Sequence, residues 1–209
     1  MGVFPDRIDG TIGGGALEWE AIRIARKMLD DGTVQHGQTF PLGPNLGQCC
    51  GGTVVLDFAP GPSKQGPTQA PLWIWGAGHV GRAVMATVAP LQDRDLTIVD
   101  TSADRLPNDM PHSVHPLIAA NPVRVVKHAP EDADHLIMTY SHDIDLALCD
   151  ALLQHGFGSV GLIGSATKWA RFQRRLTTFG HSTEQIARIA CPIGDPNLGK
   201  HPQAIAIGV

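Results

Sequence analysis

The sequence has little positive charge and no long apolar run. Its 16 lysine and arginine residues are outnumbered by 20 aspartate and glutamate residues, and the net charge is −4. Nucleic-acid binding depends on clustered lysine and arginine that neutralise phosphates, so we expect no nucleic-acid partner. No stretch approaches the roughly 20 apolar residues that a membrane-spanning helix needs, so we expect no membrane span either.

Cysteine is also scarce, with four residues at positions 49, 50, 149 and 191 of a chain of 209. Their spacing does not form the disulfide framework of a small secreted domain. The first residues, MGVFPDRIDGTIGGG, contain no basic segment followed by an apolar one, so we do not expect a secretory signal. Together these features predict a cytoplasmic location.

Glycine and proline, by contrast, are abundant, with 24 and 16 residues. Four prolines fall in APGPSKQGPTQAP, residues 59–71, which has the composition of a linker because proline and glycine interrupt helices and central strands. We therefore predict a smaller α+β domain over residues 1–58 and a second domain over residues 72–209. Within the first, apolar spacing predicts a helix over residues 16–30, and GTVVLDF predicts a strand over residues 52–58.

Two motifs of the first domain leave alternatives open. TIGGG precedes the helix, and its backbone N–H groups could hold an anion, or the glycines could simply make the turn into the helix. Cys49 and Cys50 could be reactive thiols, half of a metal site, or small apolar residues that fill a turn. Spacing alone does not separate these alternatives.

The second domain opens with LWIWGAGHVGRAVMATVAPLQDRDLTIVD, residues 72–100. An apolar run precedes the motif GAGHVG, a helical stretch follows it, and a second apolar run ends in Asp100. This sequence of strand, glycine turn, helix and strand with a terminal acid is the context of a dinucleotide-binding βαβ unit. We therefore predict a Rossmann fold here, with a nucleotide site that is either occupied or adapted to another use.

Each glycine of this motif has a predicted task. Gly76 allows the tight turn, Gly78 lets the backbone approach a pyrophosphate, and Gly81 lets the helix pack closely on the strand. Asp100 is placed to accept a hydrogen bond from a ribose hydroxyl, and its charge would disfavour a 2′-phosphate. His79 either packs or caps within the turn, or belongs to the ligand site.

Three further strands are predicted at VRVV (123–126), LIMT (136–139) and SVGLIG (159–164). They alternate with helices over residues 143–155 and 166–178, which is the rhythm of a parallel sheet. The predicted fold class is therefore α/β, a Rossmann-like domain with a smaller N-terminal domain. Ligands of such sheets bind at the carboxyl ends of the strands, so these ends should converge on one crevice.

Two of these strand ends are rich in polar groups. TYSHDIDL either caps the helix that follows or contacts a ligand or metal. GLIGSATK offers free backbone donors and a lysine where a phosphate could bind, and a solvated helix face is the alternative for the lysine. The candidate binding residues of these segments are Ser141, His142, Asp143, Gly164, Ser165 and Lys168.

Taken in order, the motifs resemble those of the xanthine dehydrogenase accessory protein (XdhC) family. The resemblance extends from about residue 9 to the last residue and implies an XdhC/CoxI-type N-terminal domain followed by an XdhC Rossmann domain. Compared with the family pattern, both ends are expected to be short, and Ser102 stands where arginine is common. The motifs that carry the resemblance are GTIGGGALEW, LGPNLGQCCGG, WIWGAGHVGRAV, IVDTSADR, TYSHDIDL, GLIGSATKWARF and CPIG with GKHPQAIA.

This resemblance implies a non-catalytic protein of purine metabolism that binds molybdenum cofactor (molybdopterin). Such a protein holds the cofactor during sulfuration by a cysteine desulfurase and delivers it to apo-xanthine dehydrogenase. The resemblance also makes Cys49 and Cys50 candidate contacts to the molybdenum or its sulfur. Whether the protein forms a homo-oligomer stays open.

Two other functions compete with this interpretation. An NAD-dependent oxidoreductase would use the glycine motif and Asp100, with His142 or Lys168 as acid or base, and would leave Cys49 and Cys50 unexplained. A thiol-redox protein would use the adjacent cysteines, although adjacent cysteines form a strained ring and the usual redox spacing is CxxC. A bound pterin would exclude the oxidoreductase as the main role.

Overall fold

The computed structural model describes residues 1–33, 37–42, 52–61 and 69–209. The chain divides into two compact units, Met1–Pro67 and Thr68–Val209. The domain limits drawn from the sequence stay a prediction. Within the described ranges, no helix has both the length and the apolar character required to cross a membrane.

The first unit contains one long helix and two small antiparallel sheets. Helix α1 (Gly15–Asp31) buries Ala21, Ile22 and Ile24, which confirms the predicted amphipathic helix. The predicted strand over residues 52–58 is likewise confirmed in its central part. The strands pair as β1 (Gly2–Val3) with β2 (Ile8–Asp9) and β3 (Gln38–Pro41) with β4 (Thr53–Leu56).

The glycine turn before α1 wraps around a carboxylate of the helix itself. Glu18 accepts hydrogen bonds from the Thr11 hydroxyl and from the N–H groups of Ile12 (2.9 Å) and Gly14 (3.0 Å). The hydrogen bond from Thr11, followed by those from the two backbone groups, lowers the pKa of Glu18. An external anion would have to displace this carboxylate. The structure therefore favours the turn-forming role of TIGGG over anion binding.

The second unit is built on a six-stranded parallel sheet with the order β10-β9-β8-β5-β6-β7. Strand β5 lies between β6 and β8 and is parallel to both. The chain runs outward on one side through β6 and β7 and then returns to the other side of β5, so the topological switch point lies between β5 and β8. This arrangement confirms the predicted Rossmann-like fold. The strands are β5 (Ala70–Trp75), β6 (Arg94–Asp100), β7 (Val114–Ile118), β8 (Asp134–Ile137), β9 (Ser159–Leu162) and β10 (Ile189–Ala190).

Helices cover both faces of this sheet. Leu72 and Ile74 of β5 belong to one apolar core, and Trp73 and Trp75 belong to the other, because successive strand side chains point to opposite faces. A strand buried on both faces reads as a continuous apolar run, which explains the sequence LWIW. The helices of this unit are α2 (His79–Val88), α3 (His142–His155), α4 (Ala166–Thr178), α5 (Thr183–Ala187) and α6 (Pro202–Gly208).

The strand predicted at residues 123–126 is wrong. These residues belong to a 3₁₀ helix, Pro122–His128, and the third strand of the sheet is Val114–Ile118. The Asn121 side chain accepts the N–H of Val123 (3.1 Å), and a proline occupies the first turn, which is a typical helix start. A four-residue apolar run cannot by itself separate a strand from a helical turn. The actual strand was missed because it contains a proline, which the sheet edge tolerates.

A buried histidine, His135, packs against Trp73 and Trp75 in the core. Trp75 donates its indole N–H to Nδ1 of His135 (3.1 Å), and the two rings stack with centroids 6.0 Å apart. Nε2 of His135 is buried without a hydrogen-bond partner within the described ranges. Burial, reinforced by the nearby His155, lowers the pKa of His135 from 6.5 to about 4. The imidazole is therefore neutral in the folded protein at neutral pH.

This pKa predicts an acid-sensitive contribution to stability. The unfolded chain binds a proton at this histidine below pH 6.5, whereas the folded chain does so only near pH 4. His135 therefore makes its full contribution to the free energy of unfolding above pH 6.5, and this contribution is lost as the pH falls towards 4. Relative to a His135→Leu variant, the unfolding free energy of the parent should fall by up to about 1.4 kcal/mol more per pH unit in this window.

Urea denaturation at several pH values between 7.5 and about 4.5 measures the two slopes. The exposed His112 supplies the control, since His112→Leu should leave the steep slope of the parent in place. Equal slopes for the parent and His135→Leu would contradict the prediction.

Candidate functional site

A cavity of about 480 Å³ opens where the carboxyl ends of β5, β6, β8 and β9 meet. Its size lies in the range of small-molecule sites, and its position is the switch point at which Rossmann folds bind ligands. Eight of the residues predicted from the sequence line it, and their binding roles stay a prediction. These are Gly76, Gly78, His79, Asp100, His142, Gly164, Ser165 and Lys168.

Three predicted residues do not line the cavity. Gly81 instead lies against the backbone of the glycine turn, since a Cβ there would come within 1.8 Å of the Gly76 carbonyl oxygen. Ser141 caps helix α3 through its hydroxyl oxygen, which accepts the N–H of Ile144 (3.4 Å). Asp143 is exposed and lies 3.4 Å from Arg175. The capping alternative therefore describes the place of Ser141, whereas Asp143 lies in solvent beside Arg175.

Cys49 and Cys50 lie outside the described residues, so the predicted thiol contacts stay a prediction. The two cysteines within the described part are poor nucleophiles. Burial raises the pKa of Cys149 well above its usual value and raises that of Cys191 to about 11. The described residues also contain no group of three or more His, Cys, Asp or Glu side chains that could hold a metal ion.

Asp100 closes the glycine turn from the end of β6. Its buried carboxylate accepts the N–H of Ala77 at Oδ2 (2.7 Å) and the N–H of Thr101 at Oδ1 (2.7 Å), and Nε of Arg105 lies 3.7 Å from Oδ1. Oδ2 has no second partner among the described residues, and a carboxylate oxygen can accept two hydrogen bonds. The acid predicted to bind a ribose thus first shapes the turn, and it is also one of the residues that line the cavity.

The start of helix α2 meets the cavity without a side-chain cap. Gly78, His79 and Val80 line the cavity, and the first N–H groups of a helix have no partner within it. The equivalent ends of α3 and α4 are capped by Ser141 and Ser165. Because the positive end of the helix dipole adds to these free donors, the start of α2 is the best-suited position for an anionic group.

A buried ion pair forms another wall of the cavity. Nζ of Lys168 lies 2.6 Å from Oδ2 of Asp145, with side-chain exposures of 11% and 2%. Nζ also donates to the Ile163 carbonyl (2.9 Å), while Oδ1 of Asp145 accepts the N–H (3.0 Å) and hydroxyl (2.6 Å) of Thr139. An ammonium has three N–H donors, and two have partners within the described ranges. Lys168 therefore does not belong to a solvated helix face, and one donor is available to a ligand.

Seven residues that line the cavity were absent from the predicted site, and three of them have charged or aromatic side chains. Asp145 is visible in TYSHDIDL as a further acid of that segment, but its pairing with Lys168 depends on the tertiary structure. Arg105 stands five positions after Asp100 in IVDTSADR, and its guanidinium carbon lies 4.2 Å above the ring of Tyr140. No sequence pattern indicates that Arg105 and Tyr140 are in contact.

The sheet order and the glycine turn closed by an acid define a Rossmann-like protein, with a cavity at the switch point of its sheet. The XdhC Rossmann domain family matches residues 72–209, and the XdhC and CoxI family matches residues 1–39. The chain belongs to the XdhC family, as its motifs predicted.

Individual proteins are also similar to the chain. The uncharacterized protein YqeB of Escherichia coli K12 is 31% identical over 206 residues, which cover 97% of this chain and 37% of that protein. The chain thus spans little more than a third of the length of this relative. A crystal structure from Bacillus halodurans, described as a xanthine dehydrogenase, superposes with a TM-score of 0.70 at 16% identity and covers 96% of this chain and 80% of that one. At this identity the likeness establishes the fold alone.

Proposed function

We propose that the protein is a non-catalytic accessory factor that holds molybdenum cofactor during sulfuration and delivers it to apo-xanthine dehydrogenase. Membership of the XdhC family supports an accessory role. The observation that carries the proposal is the cavity of about 480 Å³, which joins the uncapped start of α2 to the buried pair of Lys168 and Asp145. A cysteine desulfurase and apo-xanthine dehydrogenase are the proposed protein partners.

The chemistry of the cavity walls fits the organic part of this cofactor. Its phosphate needs hydrogen-bond donors and positive potential, which the N–H groups at Gly78, His79 and Val80 supply. Its pterin ring carries several hydrogen-bond donors and acceptors. Lys168 and the open position on Oδ2 of Asp100 are the groups of the chain that would pair with such a polar ring.

Holding a cofactor requires tight positioning rather than turnover. The Lys168 ammonium is already paired with the Asp145 carboxylate, so its charge is balanced within the cavity wall. We propose Cys49 and Cys50 as the soft thiolate donors that contact the molybdenum or its sulfur, since thiolates suit soft ligands.

An NAD-dependent oxidoreductase is the second candidate. The favouring observation is the position of Asp100 at the end of β6, where a Rossmann fold places the acid that binds a ribose. His142, exposed at the cavity, would be the proton donor or acceptor, since Lys168 is occupied by Asp145. A change in nicotinamide absorbance on addition of a substrate would favour this function over cofactor carriage.

Cofactor retention tests the proposed function and the cysteine pair together. Purified protein is incubated with molybdenum cofactor and desalted, and the retained pterin is oxidised and measured by fluorescence. We expect the parent to retain pterin and a Cys49→Ala/Cys50→Ala variant to retain roughly tenfold less, as expected for the loss of about 1.4 kcal/mol of binding free energy.

A Cys49→Ser/Cys50→Ser variant distinguishes thiolate contact from packing. If the thiolates contact the cofactor, the serine variant should lose pterin as the alanine variant does. If the cysteines only fill a turn, the serine variant should retain pterin like the parent. Equal retention by all three proteins would assign binding to the Rossmann cavity alone. No retention by the parent would refute cofactor carriage by this chain.

A further inference from the structure

We infer that Arg105 and Tyr140 form a clamp at the cavity that takes a planar heteroaromatic ring, a purine or a pterin. The inference rests on the proposed binding role of the cavity and adds two ring-binding residues to it. Arg105 lies outside the glycine motif, and Tyr140 belongs to TYSHDIDL but was not among its candidate binding residues. Both nevertheless line the same cavity as these groups.

The two residues meet across the end of the central strand. Arg105 ends the 3₁₀ turn Ala103–Arg105 that follows β6, and Tyr140 follows β8. Since β5 lies between β6 and β8, a contact between these loops bridges the carboxyl end of β5. The guanidinium carbon of Arg105 lies 4.2 Å from the centre of the Tyr140 ring, which is a stacking distance.

The backbone on each side of this pair is held in place. Next to Tyr140, the Thr139 hydroxyl donates to Oδ1 of Asp145 (2.6 Å), and its oxygen accepts the Ser141 N–H (3.2 Å). On the other side, the guanidinium of Arg82 donates to the Arg105 carbonyl (3.3 Å). The two side chains are therefore mounted on fixed supports, as a binding clamp requires.

The flat groups themselves remain accessible. Tyr140 is 62% exposed, although an aromatic ring usually gains stability by burial. An exposed cation–π contact is weak, so a ligand ring that stacks on the tyrosine and on the guanidinium would replace it at little cost. Tyr140 also borders a small recess lined by Pro122 and Ile144, which gives it apolar neighbours on the protein side.

The same cavity supplies partners for the rest of such a ligand. The uncapped start of α2 suits a phosphate, and Oδ2 of Asp100 suits a hydroxyl or an N–H group. A ligand that carries both a phosphate and a planar ring would engage all of these groups at once. Stacking does not discriminate among heterocycles, so an adenine dinucleotide and a pterin cofactor share the required chemistry.

The test compares ligands with and without a ring on the full chain. NAD⁺ and inorganic pyrophosphate are titrated by calorimetry, and molybdenum cofactor is measured by pterin retention. Tyr140→Leu should weaken whichever ring-bearing ligand the parent binds by roughly tenfold. Pyrophosphate affinity should stay within about twofold of the parent, because pyrophosphate has no ring that could stack on the tyrosine.

Two variants control this measurement. Tyr140→Phe keeps the ring and should restore binding of the ring-bearing ligand. Phe179→Leu removes another exposed aromatic side chain, 49% exposed and 6.0 Å from the guanidinium carbon of Arg175, which does not line the cavity. This variant should bind like the parent.

The clamp is overturned if Tyr140→Leu binds the ring-bearing ligand like the parent, or loses pyrophosphate to the same extent. It is also overturned if the parent binds neither NAD⁺ nor molybdenum cofactor. Tyrosine-dependent binding of NAD⁺ without pterin retention would keep the clamp and remove the proposed function. Pterin retention that is indifferent to Tyr140 would keep the proposed function and remove the clamp.

Discussion

Replacing Lys168 by methionine is expected to lower the free energy of unfolding by about 3–5 kcal/mol, because it strands a buried charge. The Asp145 carboxylate is 2% exposed and lies 2.6 Å from the lysine ammonium. Its other hydrogen bonds come from the uncharged N–H and hydroxyl of Thr139. These donors satisfy one oxygen and leave the charge without a counter-ion, so the cost of desolvation is no longer offset.

Removing both charges should be milder than removing one. A Lys168→Met/Asp145→Asn variant contains no unpaired buried charge, and we expect it to recover at least about half of the loss. Arg175→Met is the matched surface control, since it breaks an ion pair with Asp143 whose side chains are 49% and 88% exposed. Exposed pairs contribute little, so this change should cost less than about 1 kcal/mol.

Urea denaturation followed by circular dichroism measures all four proteins under one condition. A Lys168→Met variant no less stable than Arg175→Met would contradict the buried ion pair. A double variant as unstable as the single one would show that the methylene packing of the lysine, rather than its charge, is what matters.

The second large effect is expected at Gly81, where alanine should destabilise the fold by about 3 kcal/mol. A Cβ there would lie 1.8 Å from the Gly76 carbonyl oxygen and 3.5 Å from a side-chain carbon of Ile74. The clashing atom belongs to the backbone and cannot rotate away. Helix α2 would therefore have to move off β5, and part of the apolar core beneath it would lose contact.

Gly78, in the same motif, is the matched comparison. A Cβ there meets nothing within 4 Å, and its φ of −69° is available to any residue. Gly78→Ala should therefore change stability by less than about 0.5 kcal/mol but place a methyl group where an anion would approach the helix. We expect a stable variant with reduced retention of a phosphate-bearing ligand.

Thermal and urea denaturation compare the two alanine variants, and pterin retention is measured on the stable one. Equal stability of Gly81→Ala and the parent would contradict the close contact of helix and strand. Full retention of pterin by Gly78→Ala would contradict a phosphate position at the start of α2. The phosphate would then have to bind at another wall of the cavity.

The regular elements of the second unit were predictable because their signals are local. Helix α4 was predicted at residues 166–178 and is Ala166–Thr178, and the strands at LWIW and LTIV were predicted from short, mainly apolar runs. The strand prediction at residues 123–126 was wrong because a preceding asparagine and proline start a helical turn there. A short apolar run does not specify its own backbone geometry.

The features of the candidate site likewise separate into those that a local pattern predicts and those that depend on the tertiary structure. The sequence by itself determined the glycine turn and the acid at the end of the next strand, since both lie within one βαβ unit. Only the tertiary structure decided that Asp145 neutralises Lys168 and that Arg105 stacks on Tyr140. The physical reason is the sheet order: β5 lies between β6 and β8, and hydrogen bonding between strands, which no local pattern encodes, determines which distant loops become neighbours.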